Sequence, residues 1–389
     1  MEGWEIVFAL INGALVLEKE VRTGLALLYD KKIIDIVPMA KLPAGVKKID
    51  ATGLFIAPGF INMHIHGCAG ADVMDGTAKA LNAISRFQAT TGVTAFVPTT
   101  MTYDFPKITK ALNNIRTQRT RGREPGAKII GAYLEGPFIS NAYKGAQKAE
   151  HIFKADFAKI APFSDVISFV LLAPETLTAK ELQTFTEKCH KNGIRVTLGH
   201  SAATYEEGKR AIVKYGCKHI THLFNGMAPL HHRKPGLVGA GLLTDAACEI
   251  ICDNIHLHPA TQKMAYALKG SQKLILITDS MRACGLPDGV SELGGQTVYV
   301  KNGKATLKDG TIAGSILTMN KALANMSKNA QLTIPEAVAM VTSTPATELG
   351  DEKQRGFLKP GLRADFTLFD KKWNIHATIV GGKMVYKNI

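Results

Sequence analysis

The sequence has no C-x-x-C pair, no G-x-G-x-x-G or Walker stretch opening a helix, and no apolar run of bilayer length. Each gap removes a class of function. The six cysteines, at 68, 189, 217, 248, 252 and 284, are scattered, which argues against a disulfide framework and against a cysteine-built zinc site. Without the glycine motifs, neither a dinucleotide nor an NTP site is indicated. Without a long apolar run there is no membrane span to expect. The opening M-E-G-W-E is acidic where a secretory signal is basic, so a cytoplasmic protein is the expectation. Charged residues make up 21% and apolar residues 46% of the 389. That balance suits a globular chain with one large core and a smaller attachment.

Acidic residues are in short supply too, and the formal charge is +14. The densest basic cluster, Arg116 to Arg123, lacks interleaved aromatics and matches no nucleic-acid motif. It reads as solvated surface, and no nucleic-acid partner is expected. The surplus suits the attraction of a phosphorylated small molecule instead.

Residues 4 to about 50 alternate apolar and polar positions between turn signals. Glu5–Leu10, Ala14–Leu17, Leu25–Tyr29 and Ile33–Val37 are predicted strands, with Asn12-Gly13 a turn. Near the other end, Asp365–Phe369 and Ala377–Tyr386, broken at Gly381-Gly382, read the same way. The two ends are expected to pair into one small β domain, residues 1–56 with 346–389, flanking a domain at 57–345.

That middle contains eight short apolar runs: Phe60–Ile65, Val93–Pro98, Ile129–Leu134, Val166–Leu172, Ile194–Leu198, His219–Leu223, Glu249–Cys252 and Leu274–Thr278. Helical patterns separate them at βαβ spacing. Two open on capping boxes, Thr178 with Glu181 and Thr204 with Glu207. The first then places Leu182, Phe185 and Cys189 on one face, and Gly193 and Gly216 close the two helices. The α/β pattern predicts a parallel (β/α)8 TIM-like barrel with a small β-sandwich domain built from both termini. A doubly wound open sheet is the alternative.

Active sites of such barrels lie where the strands end. There stand His64 and His66, Glu135, His200, His222 and Asp279. Residues two apart on a strand face the same side, so the H-x-H pair converges on one point. A lone H-x-H is as readily satisfied in a core. Five strands offering imidazole or carboxylate at one rim point instead to a metal, with zinc, iron or manganese suiting these ligands.

The segments H-x-H, L-E-G-P-F, G-H-S, T-H-L-F-N-G-M, R-K-P-G and I-T-D-S resemble the amidohydrolase superfamily. Within it, the chain resembles the N-acetylglucosamine-6-phosphate deacetylase family along essentially its whole length. The resemblance implies Glu135, His200 and His222 as ligands of a divalent metal. His64 and His66 are implied as ligands of a second, with Glu135 bridging, so that one or two ions bind per subunit. It implies Asp279 as the acid/base that serves metal-bound hydroxide during hydrolysis of the acetamido group, in amino sugar catabolism or recycling. It also implies substrate contacts at Asn225, Gly226, Arg233 and His256, and a homodimer. Where some relatives carry K-G-A-H, this chain has Lys144-Gly145-Ala146-Gln147, which leaves Gln147 as a contact to the sugar or the developing oxyanion. Arg233 suits the 6-phosphate, and His232 and Lys234 either assist it or are plain surface charges. N-acetylgalactosamine 6-phosphate is the alternative substrate, and a cyclic amidase or deaminase the more distant one. Asp253 and Glu175 read as capping or orienting groups, and His219 and His258 as structural. His151, His190, His231 and His376 have no argument in their favour.

Overall fold

The computed structural model describes residues 7–388. Eight parallel strands form the barrel: β1 (Phe60–Ile65), β2 (Val93–Thr100), β3 (Ala132–Leu134), β4 (Ile167–Leu172), β5 (Arg195–Leu198), β6 (His219–Ile220), β7 (Ala247–Ile251) and β8 (Leu274–Ile277). They pair in sequence order from β1 to β8. Closure comes from the Asp279 amide donating to the His64 carbonyl at 3.0 Å and from Asn62 donating to Thr278 Oγ1 at 2.9 Å. The strands are almost wholly buried, as expected when helices cover the outside and side chains fill the middle. Near the active-site end the filling is polar: the Tyr133 hydroxyl bonds to Thr197 and Thr221, and the Tyr133 ring lies 4.8 Å from that of His64.

Two of the predicted runs are shorter than expected. The run Ile129–Leu134 splits, with Lys128–Ile129 pairing with β2 at Ala95 and Phe96 and β3 pairing further along at Thr99 and Thr100. The run His219–Leu223 is a strand only at His219–Ile220, because the chain must then turn sharply to aim His222 inward.

The capping boxes form as predicted, Thr178 reciprocally with Glu181 and Thr204 with Glu207. Leu182, Phe185 and Cys189 make the buried face of the first helix. Helical propensity alone rarely holds such short helices in water, so that apolar face is what seats the helix on the barrel.

The terminal strands form two sheets. One, of four strands, runs Ile33–Pro38, Leu25–Tyr29, Phe8–Ile11, Lys47–Asp50. The other, of six strands, runs Lys383–Lys387, Ile375–Val380, Phe366–Phe369, Phe55–Pro58, Ala14–Val16, Val21–Arg22, and so joins both ends of the chain. Leu10, Leu27, Tyr29, Ile56, Phe366 and Ile379 pack between them. Residues 5 and 6 of the strand expected over Glu5–Leu10 lie outside the described residues. Phe55–Pro58 passes into β1 through Gly59 alone, where a Cβ would stand 2.1 Å from Thr94 Oγ1. The sandwich is therefore fastened directly to the strand that carries His64.

Two further sheets lack a counterpart in the sequence reading, a short antiparallel pair at Gly67–Cys68 and Ala71–Asp72 and a larger one. Gly289–Leu293, Gln296–Lys301 and Lys304–Thr306 form an antiparallel three-stranded flap after β8. Its turns fall at Gly294-Gly295 and Asn302-Gly303, which are strong hairpin signals. Gln296 bonds to the Ala146 carbonyl and ties the flap to the loop after β3. Among the described residues, no helix is long and apolar enough to cross a membrane, and all six cysteines are buried and free.

Candidate metal centre and active site

One local device recurs at three strand ends. His200, His222 and Asp279 each stand two residues beyond their strands, β5, β6 and β8. Their φ angles are +43°, +27° and +47°. A left-handed backbone at a residue with a side chain costs on the order of 1–3 kcal/mol, and persists where surrounding contacts impose it. Here the Asp279 carbonyl accepts the Ser315 amide at 2.9 Å, the His200 carbonyl accepts the Ser140 amide at 2.9 Å, and the His222 amide donates to Glu249 at 3.2 Å. The turn swings each side chain over the barrel mouth instead of out along the strand.

Glu135, one residue beyond β3, is the hub on which these side chains converge. Its Oε1 lies 2.9 Å from His222 Nε2 and 3.4 Å from the Nε2 atoms of His200 and His64. Its Oε2 lies 3.1 Å from His66 Nε2. Asp279 Oδ1 is 3.1 Å from His66 Nε2 and 3.5 Å from His64 Nε2. Two sets of potential ligands result, His64 with His66 and Asp279, and Glu135 with His200 and His222, all buried.

The other ring nitrogens decide what these histidines offer. Nδ1 of His64 faces Glu249 Oε2 at 3.0 Å, that of His66 the Thr99 carbonyl at 3.2 Å, that of His200 the Tyr143 carbonyl at 2.8 Å, and that of His222 the Asn225 carbonyl at 3.0 Å. All four partners are acceptors, so each neutral ring keeps its proton on Nδ1 and turns Nε2 toward the centre as the ligand atom. Metal-binding histidines are held in this way. His64 Nε2 and Asp279 Oδ1 are buried with no hydrogen-bond partner, a costly state unless a cation occupies the space between such groups. The donor set of imidazole and carboxylate fits zinc, iron or manganese.

The electrostatics agree. Burial disfavours the charged form of His66, yet the Glu135 and Asp279 carboxylates outweigh it and push the imidazole up to about 10. His64 is likewise driven well above its ordinary value by Glu249, Asp279 and Glu135 against the effect of burial. Glu135 and Asp279 are held below the usual carboxylate range by the histidines, again against burial. The site thus strongly favours positive charge at its centre.

A cavity of about 200 Å³ opens over these ligands. Of the residues expected to contact substrate, Gln147, Asn225, Gly226 and His256 line it, and the flap contributes Leu293. Gly226 has φ +59°, and a Cβ there would meet His200 Nδ1 at 2.8 Å, so its bare backbone lets the β6 loop close on the metal ligand. Asp253 accepts from the His256 ring at 2.6 Å, and Glu175 accepts from the Ser201 hydroxyl at 2.7 Å, both as orienting groups. His258 caps a helix. Arg233 is exposed on the following loop, bonded to His232 at 2.7 Å, and is not among the residues lining the cavity. Three larger clefts, of about 540, 640 and 360 Å³, lie elsewhere and contain none of the predicted site residues.

Sequence reasoning missed Glu249 altogether. The sequence reading has it only as the first residue of an apolar run, although a carboxylate amid Ala247–Ile251 is itself a signal, since a buried charge needs a partner. His219 was read as structural, and its ring contacts that same carboxylate.

The amidohydrolase family model matches residues 55–385. An N-acetylglucosamine-6-phosphate deacetylase of Vibrio furnissii is 40% identical over 339 residues, 85% of this chain and 83% of that one. An N-acetylgalactosamine-6-phosphate deacetylase of Escherichia coli O157:H7 is 36% identical over 354 residues, 90% and 92% of the two chains. The crystal structure of an N-acetylglucosamine-6-phosphate deacetylase from Pasteurella multocida superposes with a TM-score of 0.92 at 31% identity, covering 98% of this chain and 100% of that one. Barrel, ligand set and sequence agree: this chain belongs to the amidohydrolase family.

Proposed function

We propose that the chain hydrolyses the acetamido group of N-acetyl-D-glucosamine 6-phosphate, releasing D-glucosamine 6-phosphate and acetate. The observation that carries this reading is Asp279, whose buried Oδ1 sits beside His64 and His66 at the floor of the cavity. The substrate class is supported by the relatives named above.

Glu135, His200 and His222 would hold one divalent ion, and His64 and His66 would supply ligands for a second. A bound divalent metal supplies Lewis acidity, lowering the pKa of water and polarising a carbonyl. Asp279 takes a proton from the attacking water at its carboxylate. It then delivers that proton to the departing nitrogen, which leaves poorly unless protonated. Asn225, Gly226 and His256 position the sugar, and His256 is oriented for this by Asp253. Gln147 reaches the acetyl oxygen or the sugar from the loop after β3. Arg233, although exposed outside the cavity lining, is assigned to the 6-phosphate, a group that a guanidinium grips with paired hydrogen bonds. Zinc is the proposed metal, with iron or manganese as substitutes. The chain works in the cytoplasm as a homodimer, with residues 57–345 as the catalytic unit and 1–56 with 346–389 as the accessory one.

Acetate release from N-acetylglucosamine 6-phosphate by metal-replete protein tests the reading, and no turnover refutes it. Equal turnover of the unphosphorylated sugar refutes the role of Arg233. The second reading, N-acetylgalactosamine 6-phosphate as the preferred substrate, is favoured by the E. coli relative and wins if that sugar shows the higher kcat/KM.

A further inference from the structure

Behind the metal ligands, on the side away from the cavity, lies a chain of acidic and imidazole groups, buried at Glu249 and His219 and part-exposed at Glu348. Glu249, on β7, is fully buried. Its Oε2 accepts from His64 Nδ1 at 3.0 Å and from the His222 amide at 3.2 Å. Its Oε1 faces His219 Nε2 at 3.0 Å, and His219 Nδ1 faces Glu348 Oε1 at 3.1 Å. Glu348 lies on the helix Ser343–Leu349. The single carboxylate of Glu249 therefore touches the side chain of a ligand in one set and the backbone of a ligand in the other. His222 is also the ligand whose φ of +27° most needs an external restraint.

We propose that Glu249 is the positioning residue that couples the two metal sites, with His219 and Glu348 holding it in place. Glu249 fixes the His64 tautomer and ring plane, so that Nε2 faces the centre. By the same carboxylate oxygen it pins the turn that presents His222. His219 orients the other oxygen and prevents the carboxylate from rotating away. Loss of the carboxylate weakens both sites together, although Glu249 reaches neither the cavity nor the substrate. The inference rests on the two-site metal reading given above.

The test uses full-length metal-free protein, prepared by chelation and titrated with Co²⁺ and with Zn²⁺. Stoichiometry is read by elemental analysis, affinity by calorimetry and ligand geometry by the cobalt absorption spectrum. Glu249→Gln is expected to lower the affinity of both sites by about 10- to 100-fold and to alter the cobalt spectrum, while KM at saturating metal stays close to wild type. Glu348→Gln, remote from both sets, is expected to shift affinity in the same direction by less. If Glu249→Gln fails to fold, His219→Gln and Glu348→Gln carry the test. Unchanged metal affinity in the folded variants, even with a lowered Tm, would overturn the proposal, and so would weakening at only one site. Wild-type protein that takes up no metal overturns the metal reading itself, an outcome distinct from wild-type uptake matched by the variants.

Discussion

Gln147 Nε2 donates to Glu135 Oε2 at 2.9 Å, while Gln147 Oε1 accepts the Thr102 amide at 2.9 Å. The backbone amide settles which end of the carboxamide faces Glu135, and it must be the donor end. Gln147 thereby fixes the orientation of the carboxylate that both ligand sets approach. In Gln147→Leu the Thr102 amide loses its partner, and Glu135 Oε2 is left with His66 alone. Metal retention after dialysis is expected to fall about tenfold or more. Retention at the wild-type level with a raised KM would assign Gln147 to the substrate alone.

Metal affinity should rise with pH. His66 is pushed up to about 10 and His64 well above its ordinary value in the metal-free site. Both must shed a proton to offer Nε2 as a ligand, so metal binding releases protons. Between pH 6 and 8, each displaced proton is expected to raise apparent affinity by about tenfold per pH unit. Calorimetry in buffers of different ionisation enthalpy counts those protons, and affinity independent of pH contradicts the assignment.

The buried pair behind the site makes stability depend on pH in the metal-free protein. His219 is opposed by burial but raised by Glu249 and Glu348 to about 9, above its ordinary 6.5. Its contribution is therefore complete below pH 6.5 and lost as pH rises through 9. Glu249 is opposed by burial but lowered by His64 and His219 to about 2. Its contribution is complete above the ordinary carboxylate value and lost as pH falls through 2. Urea unfolding should show roughly 3 kcal/mol of alkaline weakening between pH 6.5 and 9.5 from His219. His219→Gln, less stable at pH 6.5, should show a flatter profile over that window. Equal slopes in the two proteins would contradict the pairing.

His64→Asn combined with His66→Asn tests the division of ligands. The variant keeps Glu135, His200 and His222 and should retain one metal per chain, whereas wild type retains two at saturation. Complete loss of metal would show that the H-x-H pair anchors the first ion as well.

The barrel was legible because its strands are near-continuous apolar runs and its helices carry capping boxes at Thr178 and Thr204. Both signals are local in the chain. The ligand set was legible because each member lies at the end of such a run. The flap, marked only by Asn302-Gly303 and the alternation of Gln296–Lys301, is less legible because it is an antiparallel insertion that breaks the βαβ rhythm after β8. Glu249, and the part His219 plays beside it, is illegible for a different physical reason. Their importance comes from a partner 185 residues away in the case of Glu249 and His64, and no spacing rule reports on a contact made across the barrel.

The most direct measurement is Asp279→Asn, assayed for acetate release from N-acetylglucosamine 6-phosphate alongside elemental analysis of the same sample. The Glu135, His200 and His222 ligands are intact in this variant, so the metal they hold should remain. With the proton carrier gone, kcat should fall by about 10²-fold or more. Metal retained with near-wild-type turnover would contradict the account, because Asp279 would then be neither base nor acid.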